Sequence, residues 1–156
     1  VRATGCYGDV IPKAWERLFR LLDDRGLYES IGRGYGMAHD NPLDVGSKNC
    51  RYDACVEIRS GIEERSLPEF GITTLPAGPY ACHRLSGSYD QMRSAVENVY
   101  ARFRPLPGLC FDQHRPVVSI YMDNPNNYAD QDLRSDICVP VSTVEETIPS
   151  RMAANF

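Results

Sequence analysis

The sequence lacks any apolar run approaching the ~18 residues that a membrane-crossing helix requires, and it lacks the charged-then-apolar opening of a secretory leader. No long block of like charges occurs. Its 17 Lys and Arg stand against 21 Asp and Glu, a formal net charge of −4. That sign is wrong for a surface whose main task is to hold nucleic acid. The six cysteines, Cys6, Cys50, Cys55, Cys82, Cys110 and Cys138, include no C-x-x-C pair, whereas structural zinc sites use tighter ligand spacing. His39, His83 and His114 are equally scattered. The expectation is six free thiols packed as small hydrophobes in a reducing cytoplasm, with no disulfide, metal or cofactor. No Ser/His/Asp order, G-x-S-x-G turn or metal motif marks a catalytic centre, so no catalytic residue is assigned.

What is present fits one domain able to bury a real core: 156 residues, 42% apolar and 24% charged. The chain opens at Val1-Arg2-Ala3-Thr4 without a methionine, which points to a piece upstream.

The chain also repeats itself. Asp40-Asn41-Pro42 recurs as Asp123-Asn124-Pro125, and in the same register Arg51, Asp53, Cys55 and Val56 recur as Arg134, Asp136, Cys138 and Val139. Upstream, Gly5-Cys6-Tyr7 is similar to Gly87-Ser88-Tyr89, with a slip of one residue. Such agreement in one register indicates duplication, with copies over about 1–58 and 71–141, a polar linker over 59–70 and a tail over 143–156.

Each copy reads as strand, helix, strand, strand. Trp15, Leu18, Phe19 and Leu22 keep the spacing of an amphipathic helix, with Pro12 in its first turn and Gly26 as its stop. Met92, Ala95, Val96, Val99, Tyr100 and Phe103 make the second stripe, capped by Ser88 or Asp90 and ended by Pro105. Outgoing strands span Ile31 to Ala38 and Val117 to Met122 and run into the D-N-P turns. Return strands span Tyr52 to Ile58 and Ser135 to Val141. A leading strand runs from Gly71 to Leu85, bent near Pro76-Ala77-Gly78-Pro79; the first copy shows only Val1 to Thr4 of its counterpart. The fold class expected is α+β: one mostly antiparallel sheet with two main helices on one face and a ligand cleft on the other.

Alternation assigns the faces. Ala54, Val56 and Ile58, and Ile137, Val139 and Val141, belong under the helices. Arg51, Asp53, Cys55 and Glu57, then Arg134, Asp136 and Cys138, belong on the opposite face. On the outgoing strands, Val118, Ile120 and Met122 are expected toward the helices, with Ser119, Tyr121, Gly36 and Ala38 away from them. The helix-free face would then be a concavity with space at Gly36 and an aromatic wall at Tyr121.

These residues resemble a known family. Gly5-Cys6-Tyr7-Gly8 with the helix after it, Asp40-Asn41-Pro42 with Cys50 to Val56, Leu75-Pro76-Ala77-Gly78-Pro79-Tyr80-Ala81, and Arg115-Pro116 through Asp136-Ile137-Cys138-Val139-Pro140-Val141 are similar to the signatures of GyrI-like domains, also known as AraC-type effector-binding domains. The resemblance implies a duplicated β-α-β-β fold with a ligand cleft between the halves. It implies a small-molecule ligand, often apolar or cationic. It also implies one of two settings: fusion to a helix-turn-helix transcription activator lying upstream, or a stand-alone protein such as the DNA gyrase inhibitory proteins, with gyrase as partner. Some stand-alone members resemble hydrolases of cyclopropane-bearing toxins. The family's closing strand usually carries Glu where this chain has Ser119, which removes the charge that would attract a cation or serve acid/base chemistry. The ligand-binding set expected is Tyr121, Ser119, Cys138, Cys55 and Gly36, with the aromatics Tyr35 and Trp15 near the mouth and Glu57 as a substitute charge. Three readings stay open: an effector sensor for a neutral or weakly polar molecule, a gyrase inhibitor or toxin-sequestering protein, and a small hydrolase.

Overall fold

The computed structural model describes residues 1–59 and 69–144. Most of the expected linker, and the tail after Val144, lie outside the described residues. The first half comprises β1 (Arg2–Thr4), α1 (Tyr7–Asp24), β2 (Ile31–Ala38), a one-turn α2 (Pro42–Val45) and β3 (Arg51–Ile58). The second comprises β4 (Tyr80–Ser86), α3 (Gln91–Arg102), β5 (Leu109–Phe111), β6 (Val117–Tyr121) and β7 (Arg134–Thr143).

Local chemistry accounts for these boundaries. Along α1, Val10, Ile11, Ala14, Leu18 and Leu22 recur every three or four residues and are buried, each large one contributing about 1.5–3 kcal/mol. The helix begins at Tyr7, so Pro12 lies one turn deeper than expected. It ends where Gly26 takes a left-handed φ of 62° and the Leu27 N–H donates back to the Leu22 carbonyl. Asn41 caps α2 by accepting from the Leu43 N–H, and Pro42 opens that turn. The strand expected from Gly71 narrows to Tyr80–Ser86, since Pro76 and Pro79 have no N–H to give a ladder. β5, too short to carry a periodic signal in the sequence, is three residues long and pairs Phe111 with Val141.

The sheet runs β1-β3-β2-β6-β7-β4, with β5 attached to β7, and every pairing is antiparallel. The halves meet at the β2–β6 seam. Side chains of α1 and α3 share one core with Ala38, Tyr52, Ala54, Val117 and Ile137, so both helices cover one face.

A matching clasp ties the helix start of each half to its D-N-P turn. The Tyr7 hydroxyl donates to the Asp40 carbonyl at 2.7 Å and accepts from the Asp40 N–H at 3.0 Å. Tyr89 does the same at Asp123, at 2.8 and 2.9 Å. Arg51 grips the Asp40 carboxylate through two nitrogens at 2.7 and 2.9 Å, and Arg134 grips Asp123 at 2.7 and 3.0 Å. This planar fork-to-fork pairing suits Arg and not Lys.

Two expectations are corrected. The first concerns the outgoing strands: Ser119 and Tyr121, with Gly36 and Ala38, face the helices, while Val118 and Ile120 face away. Register decides it. Ser119 pairs with Ile137 and Val118 with Cys138, and neighbours across a ladder share a face. Alternation could not reveal this, because both faces of β6 are covered: Val117, Val118 and Ser119 are 0%, 5% and 0% exposed. The helix-free face is therefore no open concavity at its centre, where Met37, Val118 and Cys138 are buried together.

The second correction concerns the thiols. Cys82 and Cys138 form a disulfide, while Cys6, Cys50, Cys55 and Cys110 are free. The pair is 56 residues apart in sequence and is brought face to face only by the β4–β7 register. Spacing rules look for local partners and so pass over it.

Candidate functional site

Where α1 and α3 pack over β2 and β6, aromatic side chains line the seam between them. Trp15 projects from α1 and meets Tyr121 of β6 edge-on, ring centres 4.8 Å apart. Tyr89, two residues before α3, meets the same Tyr121 ring at 4.9 Å. The Trp15 indole N–H donates to the Tyr52 hydroxyl at 3.1 Å, and the Tyr52 and Tyr121 hydroxyls lie 3.5 Å apart. Burial pushes the pKa of both phenols up, so both remain protonated donors near neutral pH. Outward along α1 the row continues through Phe19 to a stacked Tyr28, 39% and 45% exposed.

Glycine makes this arrangement possible. A Cβ on Gly36 would collide with the Tyr52 hydroxyl, and one on Gly34 would press the Trp15 ring at 3.0 Å. Beneath the rings sit Ser119 and Ser135, diagonal neighbours on β6 and β7 that share the helix-facing side. Both are 0% exposed, and neither hydroxyl has a hydrogen-bond partner among the described residues. Buried polar groups are rarely left so. Two free donors under an aromatic canopy can orient a small acceptor-bearing molecule. The canopy's own groups are phenols, an indole and hydroxyls, with no carboxylate among them.

The expected binding residues divide between two places. Tyr121, Ser119, Gly36 and Trp15 come together in this seam. Tyr35, Cys55 and Glu57 instead line a mostly apolar cavity of about 470 Å³ at the outer edge of β3, roofed by Phe70 to Leu75 and backed by Leu18 and Leu22. Cys138 belongs to neither, being locked to Cys82. Sequence reasoning missed Tyr52, Tyr89 and Ser135. Tyr89 was legible as the repeat equivalent of Tyr7, but nothing local distinguishes Tyr52 or Ser135 from other strand residues.

On the helix-free face the notable cluster is Asp53, 6% exposed, between Arg2 at 2.7 Å and His39 at 2.7 Å. Burial works to raise its pKa, but the hydrogen bonds from Arg2 and His39 outweigh burial and hold the carboxyl well below its ordinary range. The repeat equivalents Arg84 and Asp136 pair likewise, whereas Met122 stands where His39 would recur. The cluster ties β1 to β3 and brings no further reactive group with it. Among the described residues no group of His, Cys, Asp and Glu could hold a metal ion, and no helix is long and apolar enough to cross a membrane.

No curated protein matches the chain. The family profile of the GyrI-like small molecule binding domain, however, matches residues 1–142. That span takes in both halves of the α+β sheet, both covering helices and the aromatic seam between them, and the chain belongs to the GyrI-like family of small-molecule-binding domains.

Proposed function

We propose that the chain binds a small, neutral or weakly polar organic effector in the aromatic seam between α1 and α3. The observation that carries this reading is the pair of partnerless buried hydroxyls, Ser119 and Ser135, under Trp15, Tyr52, Tyr89 and Tyr121. Aromatic walls supply area and a few convergent donors supply orientation, the usual makeup of a small-molecule site. A neutral ligand is favoured because Ser119 stands where a carboxylate would attract a cation, and Glu57 and Asp53 lie on the opposite face of the sheet. The same lack of a carboxylate favours binding over hydrolysis, since no seam residue is suited to exchange protons near neutral pH. We further assign the domain the role of effector sensor, stand-alone or within an AraC-type regulator, in preference to gyrase inhibition. A supercoiling assay with purified gyrase separates the two.

Trp15 is the sole tryptophan, so its emission reports on the seam directly. Titration with coumarin, a neutral aromatic, should quench or shift it, and benzyltrimethylammonium should not. Ser119→Glu should reverse that preference by about ten- to a hundred-fold, the effect of roughly 1–3 kcal/mol in a partly dry site. Coumarin binding that leaves Trp15 emission unchanged and survives Tyr121→Ala would remove the site from the seam.

A further inference from the structure

We propose that the Cys82–Cys138 disulfide is a thiol–disulfide exchange site that takes low-molecular-weight thiols at Cys82. The two sulfurs are unequally accessible. Cys138 is 4% exposed and lies between Val118 on one side and Cys82 on the other. Cys82 is exposed and belongs to β4, the last strand of the sheet, with no strand beyond it among the described residues.

Exchange requires a thiolate to approach one sulfur in line with the S–S bond, so access selects which sulfur is attacked. The line that extends past Cys82 leaves the protein at the open sheet edge. The line that extends past Cys138 runs over Val118, which is 5% exposed. An incoming thiolate therefore bonds to the Cys82 sulfur. The S–S bond to Cys138 breaks, and Cys138 leaves as a thiolate and takes up a proton. A second thiol then attacks the mixed disulfide, releases the first as a small-molecule disulfide and leaves Cys82 as a thiol. Over both steps two thiols are oxidised and the protein disulfide is reduced by two electrons.

Cys55 provides the contrast. It occupies the repeat position of Cys138 and faces Tyr35 on the inner strand as Cys138 faces Val118, but it is a half-buried free thiol beside the edge cavity and serves as an internal control for labelling.

The test is stepwise incubation of the folded, oxidised protein with reduced glutathione, acid quenching, and peptide mapping without reductant. The half-reduced species should carry glutathione on Cys82 over Cys138 by at least about tenfold. The Cys138→Ser protein, given oxidised glutathione, should accumulate the Cys82 adduct while keeping a native Trp15 emission spectrum. An adduct on Cys138, labelling of Cys55 as fast as Cys82, or a disulfide that yields only after denaturation would each overturn the proposal.

Discussion

Gly36 and Ser119 hold the same position in the two halves of the chain, and they are also each other's partners across the β2–β6 seam. The approximate twofold axis therefore passes between them. One member of the pair carries no side chain and admits the Tyr52 ring; the other carries a buried hydroxyl with no partner. The pseudo-symmetry is broken at its own axis.

Gly36→Ala should expose the tightness of that contact. The added methyl displaces the Tyr52 hydroxyl and with it the Trp15 hydrogen bond. Overpacking of this kind costs about 1–3 kcal/mol. A lowered urea midpoint with a red-shifted Trp15 emission is expected; a midpoint equal to that of the parent would show that Tyr52 moves aside freely.

The two clasps allow a paired measurement. Tyr7→Phe and Tyr89→Phe each remove a hydroxyl that serves both the carbonyl and the N–H of an Asp. Each should lose about 1–3 kcal/mol, the penalty for stranding buried polar groups. Tyr7 is only 2% exposed and Tyr89 is half-buried, so water can replace the second hydroxyl better. Thermal unfolding should rank Tyr7→Phe as the more damaging.

Acid should act on Asp53. Its folded-state pKa lies below the unfolded value of about 3.9, so its stabilising contribution is complete above that value and fades as pH falls toward the folded one. Asp53→Asn should cost about 2 kcal/mol near neutral pH, typical of hydrogen bonds to a charged group. The difference between parent and variant should shrink at about pH 3. Urea unfolding at the two pH values reads this, and a gap that widens in acid would contradict the assignment.

The disulfide gives a countable outcome. Denatured without reductant, the chain should titrate four free thiols, and after reduction six. Cys82→Ala should lower stability by about 2–4 kcal/mol through release of the chain closed by the cross-link. Six thiols before reduction would show that Cys82 and Cys138 are not bonded to each other.

Much of the fold was legible because its signals are local or repeated. The D-N-P recurrence located the turns, β2 was read to its observed ends, and the stripes of α1 and α3 gave both helices. The site was read less well, for a specific reason. A strand such as β6, covered on both sides, carries no alternation that says which face meets the helices. Its facing is fixed only by the Ser119–Ile137 register with β7. An error of one step there sent Ser119, Tyr121 and Gly36 to the wrong side together. The Cys82–Cys138 pairing was hidden likewise, because it exists only once β4 has found β7.

The twin Tyr–Asp–Arg clasps imply a division of labour. Their Asp and Arg members hold each hairpin end, while the tyrosines reach in to the seam, Tyr7 edge-on to Tyr52 and Tyr89 edge-on to Tyr121. Residues over the axis can then change size and polarity without loosening the frame, as the exchange of Tyr52 for Ser135 between equivalent positions already illustrates. A scaffold fastened twice at its periphery leaves its centre free to diverge in ligand preference.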